Sequence, residues 1–328
     1  FMTDPRFWTW LWAMDNEVRA HVPMVYHHVW DNFPAPHFNL GYYQSNDKIV
    51  CISKVTHEIV KTVAPNVDSI YLPHAVNGDI YKPLDKSTRE KIRKDAMNIE
   101  DDKFVFFWNN RNARRKQSGS LIFWFKEFLD RIGHDKATLL MHTDPHDVHG
   151  QNLTHIMRHL GLTNGELLFS TAKMPPQKLA EVYNSVDCTI NISDAEGFGL
   201  ATLESLSCGV PIVVNMTGGL QEQVTDGEKW FGIGIEPKSK AIIGSQDVPY
   251  IYEDRINKED FINALTTMYE MSPEDRAKLG ADGREHVLKN YNFDKFCTDW
   301  VNTIDEVVEK FGSWDTRKNY DTFRFKEL

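Results

Sequence analysis

The sequence predicts an α/β protein built on a doubly wound parallel sheet, and three observations carry that prediction. Short β-branched runs alternate with stretches of helical period from about residue 22 to residue 235. A glycine- and acid-rich segment, 192–204, joins an apolar run to an apolar helix, the kind of junction where such sheets bind ligands. A cation-rich turn, 109–116, stands at the corresponding place after an earlier strand.

Size and composition set the frame. The chain has 328 residues, 41% hydrophobic and 26% charged, which suits two ordinary globular domains. Its 37 Lys and Arg against 47 Asp and Glu give a net charge of −10 without a basic stripe, so a nucleic-acid backbone is a poor partner. Apolar runs such as 121–125 and 210–214 fall far short of the ~20 residues of a membrane span. Cys51, Cys188, Cys208 and Cys297 are scattered with no C-x-x-C pair, and the reading is reduced thiols in a cytoplasmic protein.

The elements follow in order. Residues 22–26, 48–52 and 69–72 read as strands, with a helix at 54–63. Pro83 and the charged run from Asp85 break this series, and Ser87 is the expected N-cap of a helix at 88–97. A second series then begins, with strands at 104–108, 137–142, 167–169, 188–192, 211–214 and 230–235. Helices are expected between them at 121–131, 153–160, 177–185, 200–207 and 220–224. From Lys258 to Phe311 the pattern is helix after helix. These breaks predict a partial N-terminal domain over 1–84, a complete second domain over 85–292, and a helix and tail over 293–328. Three strands before residue 85 are too few for a free-standing domain, so residues missing before Phe1 are expected.

The chemistry concentrates in three junctions. In 192–204, Gly197 and Gly199 allow backbone to approach a ligand, and the first N–H groups of the next helix form an anion site. Glu196 projects from the loop and Glu204 lies more than a turn into the helix, so two carboxylates face two sets of hydroxyls. In 109–116, Arg111, Arg114, Arg115 and Lys116 call for an anion in an otherwise acidic protein, and a diphosphate meets that demand. A third junction, 217–222, repeats the strand–glycine–helix pattern. The cluster His142, Asp144, His146, Asp147 and His149 has metal-ligand chemistry but lies in one loop without a second ligand set, and reads as solvated.

Taken together, Arg111-x4-Lys116, the pair Glu196-x7-Glu204 inside E-G-F-G-L-x-x-L-E, the following S-x-G-V-P and then G-G-x-x-E resemble glycosyltransferase family four. The resemblance runs from about Asp47 to Gly227 and includes Cys51-Ile52-Ser53 and 72–77. It implies the GT-B fold, with two Rossmann-like domains facing across a cleft, the N-terminal one incomplete here. It also implies retaining transfer from a nucleotide-diphosphate sugar, UDP- or GDP-linked, without a cofactor or metal. The acceptor, whether glycan, lipid-linked or protein, is left open. An epimerase of the same fold and a non-catalytic nucleotide-sugar-binding partner are the alternatives.

By the same resemblance Arg111, Lys116, Gly199 and Leu200 hold the donor diphosphate. Gly197 and Phe198 pass over the sugar, Glu196 faces it as a catalytic acid, and Glu204 binds the ribose. The family's first strand and Gly-rich loop have no counterpart in these residues. Its first-domain histidine falls on His27 or His28, and His28 is the preferred catalytic candidate.

Overall fold

The computed structural model describes residues 1–99 and 102–322; residues 323–328 of the expected tail lie outside them. The chain divides into two compact units. The first comprises Phe1–His74, Ile242–Tyr252 and Phe293–Leu328, and the second Ala75–Ala241 and Glu253–Asn292. The division thus falls ten residues before the expected boundary at 84/85, because Tyr81 and Pro83 already serve the second unit: the Tyr81 carbonyl accepts from Ser207 Oγ (2.6 Å) and Arg284 Nη1 (2.9 Å).

In the first unit four strands pair in parallel in the order β1 (Met2–Thr3), β2 (Val25–His28), β3 (Lys48–Cys51) and β4 (Ser69–Tyr71). Strand β2 starts and ends later than the sequence pattern suggests. Pro23 has no N–H to offer a ladder, and the Met24 N–H is taken by Asp47 Oδ2 (2.8 Å). The two histidines then continue the strand. Helix Lys54–Val63 is capped by Ser53, whose Oγ accepts from Thr56 N–H (3.1 Å), and buries Ile59, Val60 and Val63. Helix Phe293–Phe311 belongs to this unit: Glu306 and Lys310 pair with Lys48 (3.2 Å) and Asp68 (3.0 Å), and Trp300 packs edge-on to His27.

The second unit carries six parallel strands: β5 (Phe104–Asn109), β6 (Ala137–His142), β7 (Leu167–Ser170), β8 (Cys188–Asn191), β9 (Ile212–Asn215) and β10 (Gly232–Ile235). Their spatial order is β10-β9-β8-β5-β6-β7. Side chains alternate across a strand, so Phe104, Phe106 and Trp108 enter one core with Phe125 and Phe128 of helix Ser118–Ile132 and with helix Lys258–Glu270. Phe107 faces the other way, against Tyr183 of helix Pro176–Asn184 (5.2 Å between rings). Both faces are therefore covered, as near-continuous apolar strands require.

Two local expectations change. The first helix of this unit is Lys86–Ile92, capped by Asp85 rather than Ser87. Asp85 Oδ1 accepts from Thr88 N–H (2.9 Å), and a carboxylate that also takes the Ser87 hydroxyl (2.5 Å) is the stronger acceptor. A two-stranded sheet, β11 (Ser239–Ile243) with β12 (Ile251–Arg255), follows β10 and has no counterpart in the sequence reading.

Candidate functional site

The site sits where the strand order reverses. From β5 the chain builds outward through β6 and β7, then returns to β8 on the other side of β5. The connections leaving the carboxyl ends of β5 and β8 diverge there and open a crevice. The loop after β5 holds the cation-rich turn, and the loop after β8 holds the glycines and Glu196. They are joined by a backbone bond from Asp194 N–H to the Arg115 carbonyl (2.8 Å).

Lys116 is 7% exposed and donates from Nζ to Glu196 Oε2. That oxygen also lies within reach of Asn191 Nδ2 (3.3 Å) and Ser193 Oγ (3.4 Å). Burial opposes the Glu196 charge, but the Lys116 and Arg115 cations and the hydrogen bonds from Lys116 and Asn191 outweigh it, holding the carboxyl below its usual range. The Arg115 guanidinium is spent on the Ala195 carbonyl. Arg111 is placed differently: its side chain is 61% exposed and forks onto Asp147 (2.6 and 3.2 Å).

Glu204 sits on helix Leu200–Ser207 among tyrosine hydroxyls. Asn109 Nδ2, at the end of β5, donates to the Tyr183 hydroxyl (2.9 Å), which donates to Glu204 Oε2 (2.8 Å). Burial pushes the Glu204 carboxyl up, and hydrogen bonds from Tyr183 and Tyr81 offset only part of that. The helix opens on Gly199 in the left-handed region (φ 93°), where a Cβ would also stand 2.6 Å from Leu220 Cδ2. Gly219 is equally confined, with Gly197 O and Phe198 Cα 2.7 Å from a Cβ placed there. The Gly197–Phe198–Gly199 turn therefore lies directly on the third junction, where Gly219 N–H also donates to the Glu196 carbonyl (3.0 Å).

Two supports escaped the sequence reading. Gln223, fully buried, donates from Nε2 to the carbonyls of Phe198 (2.7 Å) and Gly199 (3.2 Å). The base of β12 ties the loops together: Glu253, 1% exposed, receives Arg114 (2.8 and 2.5 Å) and Arg255 (2.7 Å). Arg255 reaches on to Asp194 (2.8 Å), and Asp254 takes the Thr217 hydroxyl (2.7 Å). Motif spacing cannot show either feature, because each links segments distant in sequence.

His28 does not fit the catalytic role expected of it. It is fully buried between Tyr26 and Tyr43, and its Nε2 shares a hydrogen bond with the Tyr43 hydroxyl (2.8 Å). Burial lowers its pKa to about 3, so it is a neutral core ring with no surface for a substrate. His27, on the opposite face of β2, packs against His74 and Trp300, and its Nε2 is buried without a hydrogen-bond partner. In the acidic loop after β6, Asp144 and Asp147 accept from the backbone of His146 and His149 (2.9 Å each). Among the described residues no cluster of three or more His, Cys, Asp or Glu could hold a metal ion.

The parallel sheets flanked by helices place the chain in the α/β GT-B fold class. Solved structures agree on the fold. Sucrose-phosphate synthase from Thermosynechococcus elongatus superposes with a TM-score of 0.69 at 17% identity, over 87% of this chain and 68% of that one. Anabaena HepE, solved in complex with UDP and glucose, gives 0.68 at 16%, over 86% and 71%. The chain belongs to the family of glycosyl transferases group 1, whose model matches residues 89–286.

Among curated relatives, D-inositol 3-phosphate glycosyltransferase of Thermomonospora curvata is 28% identical over 167 residues, 51% of this chain and 32% of that protein. The protein of that name from Acidothermus cellulolyticus is 49% identical over 55 residues, 17% and 12% of the two chains. The matches thus span well under half the length of these relatives. Among the described residues no helix is long and apolar enough to cross a membrane.

Proposed function

We propose that this chain transfers a sugar, with retention at the anomeric carbon, from a nucleotide-diphosphate donor to a hydroxyl acceptor, as a member of glycosyltransferase family four. The observation that carries the reading is the meeting of Lys116, Glu196 and the Gly199-capped helix at the crevice, with Glu204 behind them on the same helix. The bond between the anomeric carbon and the diphosphate oxygen breaks, the acceptor oxygen bonds to that carbon, and the acceptor proton leaves with the diphosphate. Negative charge grows on the leaving diphosphate, and the Lys116 ammonium and the helix N–H groups stabilise it in place of a metal ion. Arg111 adds a flexible cation at the crevice mouth.

Donor entry must divert Lys116 from Glu196 to the phosphate. That leaves the Glu196 carboxylate to accept from sugar hydroxyls, while Glu204 accepts from the ribose. UDP-glucose is the first donor to test, since UDP and glucose occupy the Anabaena HepE structure. The experiment is titration with UDP and GDP, followed by incubation with UDP-glucose and candidate acceptors in EDTA, with products identified by mass. Binding with a glycosylated acceptor as product is expected. A nucleotide-sugar epimer as product, or binding without turnover on any acceptor, would overturn the transferase reading.

A further inference from the structure

We infer that Gln223 is a positioning residue that aims the Gly199 N–H group at the donor diphosphate; the inference rests on the donor reading above. A trans peptide points its C=O and N–H in opposite directions. Whatever grips the Phe198 carbonyl therefore sets where the Gly199 N–H points; the Gly199 carbonyl, which sets the Leu200 N–H, is also held by the Thr202 hydroxyl (2.8 Å) and the Leu203 N–H (3.2 Å). Gln223 Nε2 holds both carbonyls, at 2.7 and 3.2 Å.

The amide has one workable orientation. Backbone carbonyls only accept, so the –NH2 must face them, and the Thr202 hydroxyl donates to Oε1 on the other side (2.6 Å). Gln223 is fully buried, and water cannot replace these bonds without a rearrangement. Helix Gln221–Val224, which carries it, is one turn long and follows the confined Gly219, so the amide is anchored to the surface on which the loop rests. Two peptide groups at the start of helix Leu200–Ser207 are thus fixed before any ligand arrives, and electrostatic stabilisation gains most from such preorganisation.

Gln223→Met keeps the side chain's length and removes both donor and acceptor. Wild type and variant are titrated with UDP or GDP, whichever the wild type binds, and with the matching nucleoside. The expected result is a loss of about tenfold in diphosphate affinity with nucleoside affinity unchanged. Thr202→Val, which removes the hydroxyl from both Oε1 and the Gly199 carbonyl, should show a smaller loss with the same selectivity, and it stands in if the Met variant does not fold. Equal losses for diphosphate and nucleoside, or no loss in either variant, would overturn the inference while leaving the donor reading intact. A wild-type protein that binds neither nucleotide would overturn both.

Discussion

Glu196 and Glu204 belong to one segment, yet the fold treats them in opposite ways. The loop acid is held charged by Lys116 and Arg115 and sits below its ordinary range. The helix acid faces the Tyr183 and Tyr81 hydroxyls, and burial raises it. Sequence distance therefore says little about the environment of a carboxylate. What decides is which strand end lies opposite: the cation-bearing loop after β5 faces Glu196, and the Asn109–Tyr183 relay faces Glu204. A charged group matched to a cation can trade that partner for a ligand, whereas one surrounded by neutral donors has capacity left for neutral hydroxyls.

The largest effect should come from breaking the charged side of this contrast. Lys116→Met leaves Glu196 buried without its cation, and losing one partner of a buried pair costs roughly 3–5 kcal/mol. The melting midpoint should fall, and nucleoside diphosphate affinity should drop on the order of ten- to a hundredfold, about 1.5–3 kcal/mol for one charge-assisted contact. Calorimetry and nucleotide titration measure the two. A stable variant with unchanged affinity would make Lys116 an ordinary buried lysine.

The glutamates themselves should separate next. Glu196→Gln removes the charge opposite Lys116, so it should lower the melting midpoint and depress kcat while leaving nucleoside diphosphate affinity nearly intact. Glu204→Gln should weaken nucleotide and nucleotide sugar alike. Its stability effect should have the opposite sign. A carboxyl whose folded pKa is raised binds its proton more tightly in the fold, so stability declines as pH rises from the ordinary 4.5 through that raised value. A permanently neutral Gln removes the decline, and the variant should melt higher than wild type at pH 7. Glu196, held below 4.5, loses its contribution only as pH falls beneath that value. If Glu196→Gln abolished nucleotide binding and Glu204→Gln did not, the two assignments would be exchanged.

How much of this was legible in the sequence follows from the range of the forces involved. Strand β6 and helix Leu200–Ser207 have the bounds their patterns indicate, because each is set by its own apolar periodicity and neighbouring glycine. The three strand–helix junctions rich in glycine or cations were visible for the same reason. The Lys116–Glu196 pair and the Gln223 grip were not, since each depends on which strands become neighbours, 80 and 25 residues apart. Strands β11 and β12 lack an alternating apolar pattern, and Glu253 reads as a surface acid until Arg114 and Arg255 are placed beside it. His27 and His28 illustrate the limit most directly. Adjacent residues on a strand face opposite sides, and only the positions of Tyr43 and Trp300 show that both rings are enclosed, His28 against Tyr43 and His27 against Trp300.

The smallest effect should belong to the other cation of the same motif. Arg111 and Lys116 stand five residues apart on one loop, but Lys116 is buried against a buried acid while Arg111 is exposed and paired with Asp147 at the surface. An exposed pair is screened by water and salt, so Arg111→Ala should leave the melting midpoint unchanged within error. Its share in diphosphate binding must come from a swing of the guanidinium away from Asp147, which loses one ion pair to make another. The net change in nucleoside diphosphate affinity should therefore be about two- to threefold at low salt, and it should vanish near 0.5 M salt, where the screening length shortens to a few ångström. Titrating Arg111→Ala and Lys116→Met at two ionic strengths tests this directly. Losses of equal size and equal salt dependence would mean that the donor draws Arg111 into the crevice as firmly as Lys116, and the contrast between buried and exposed cation would fail.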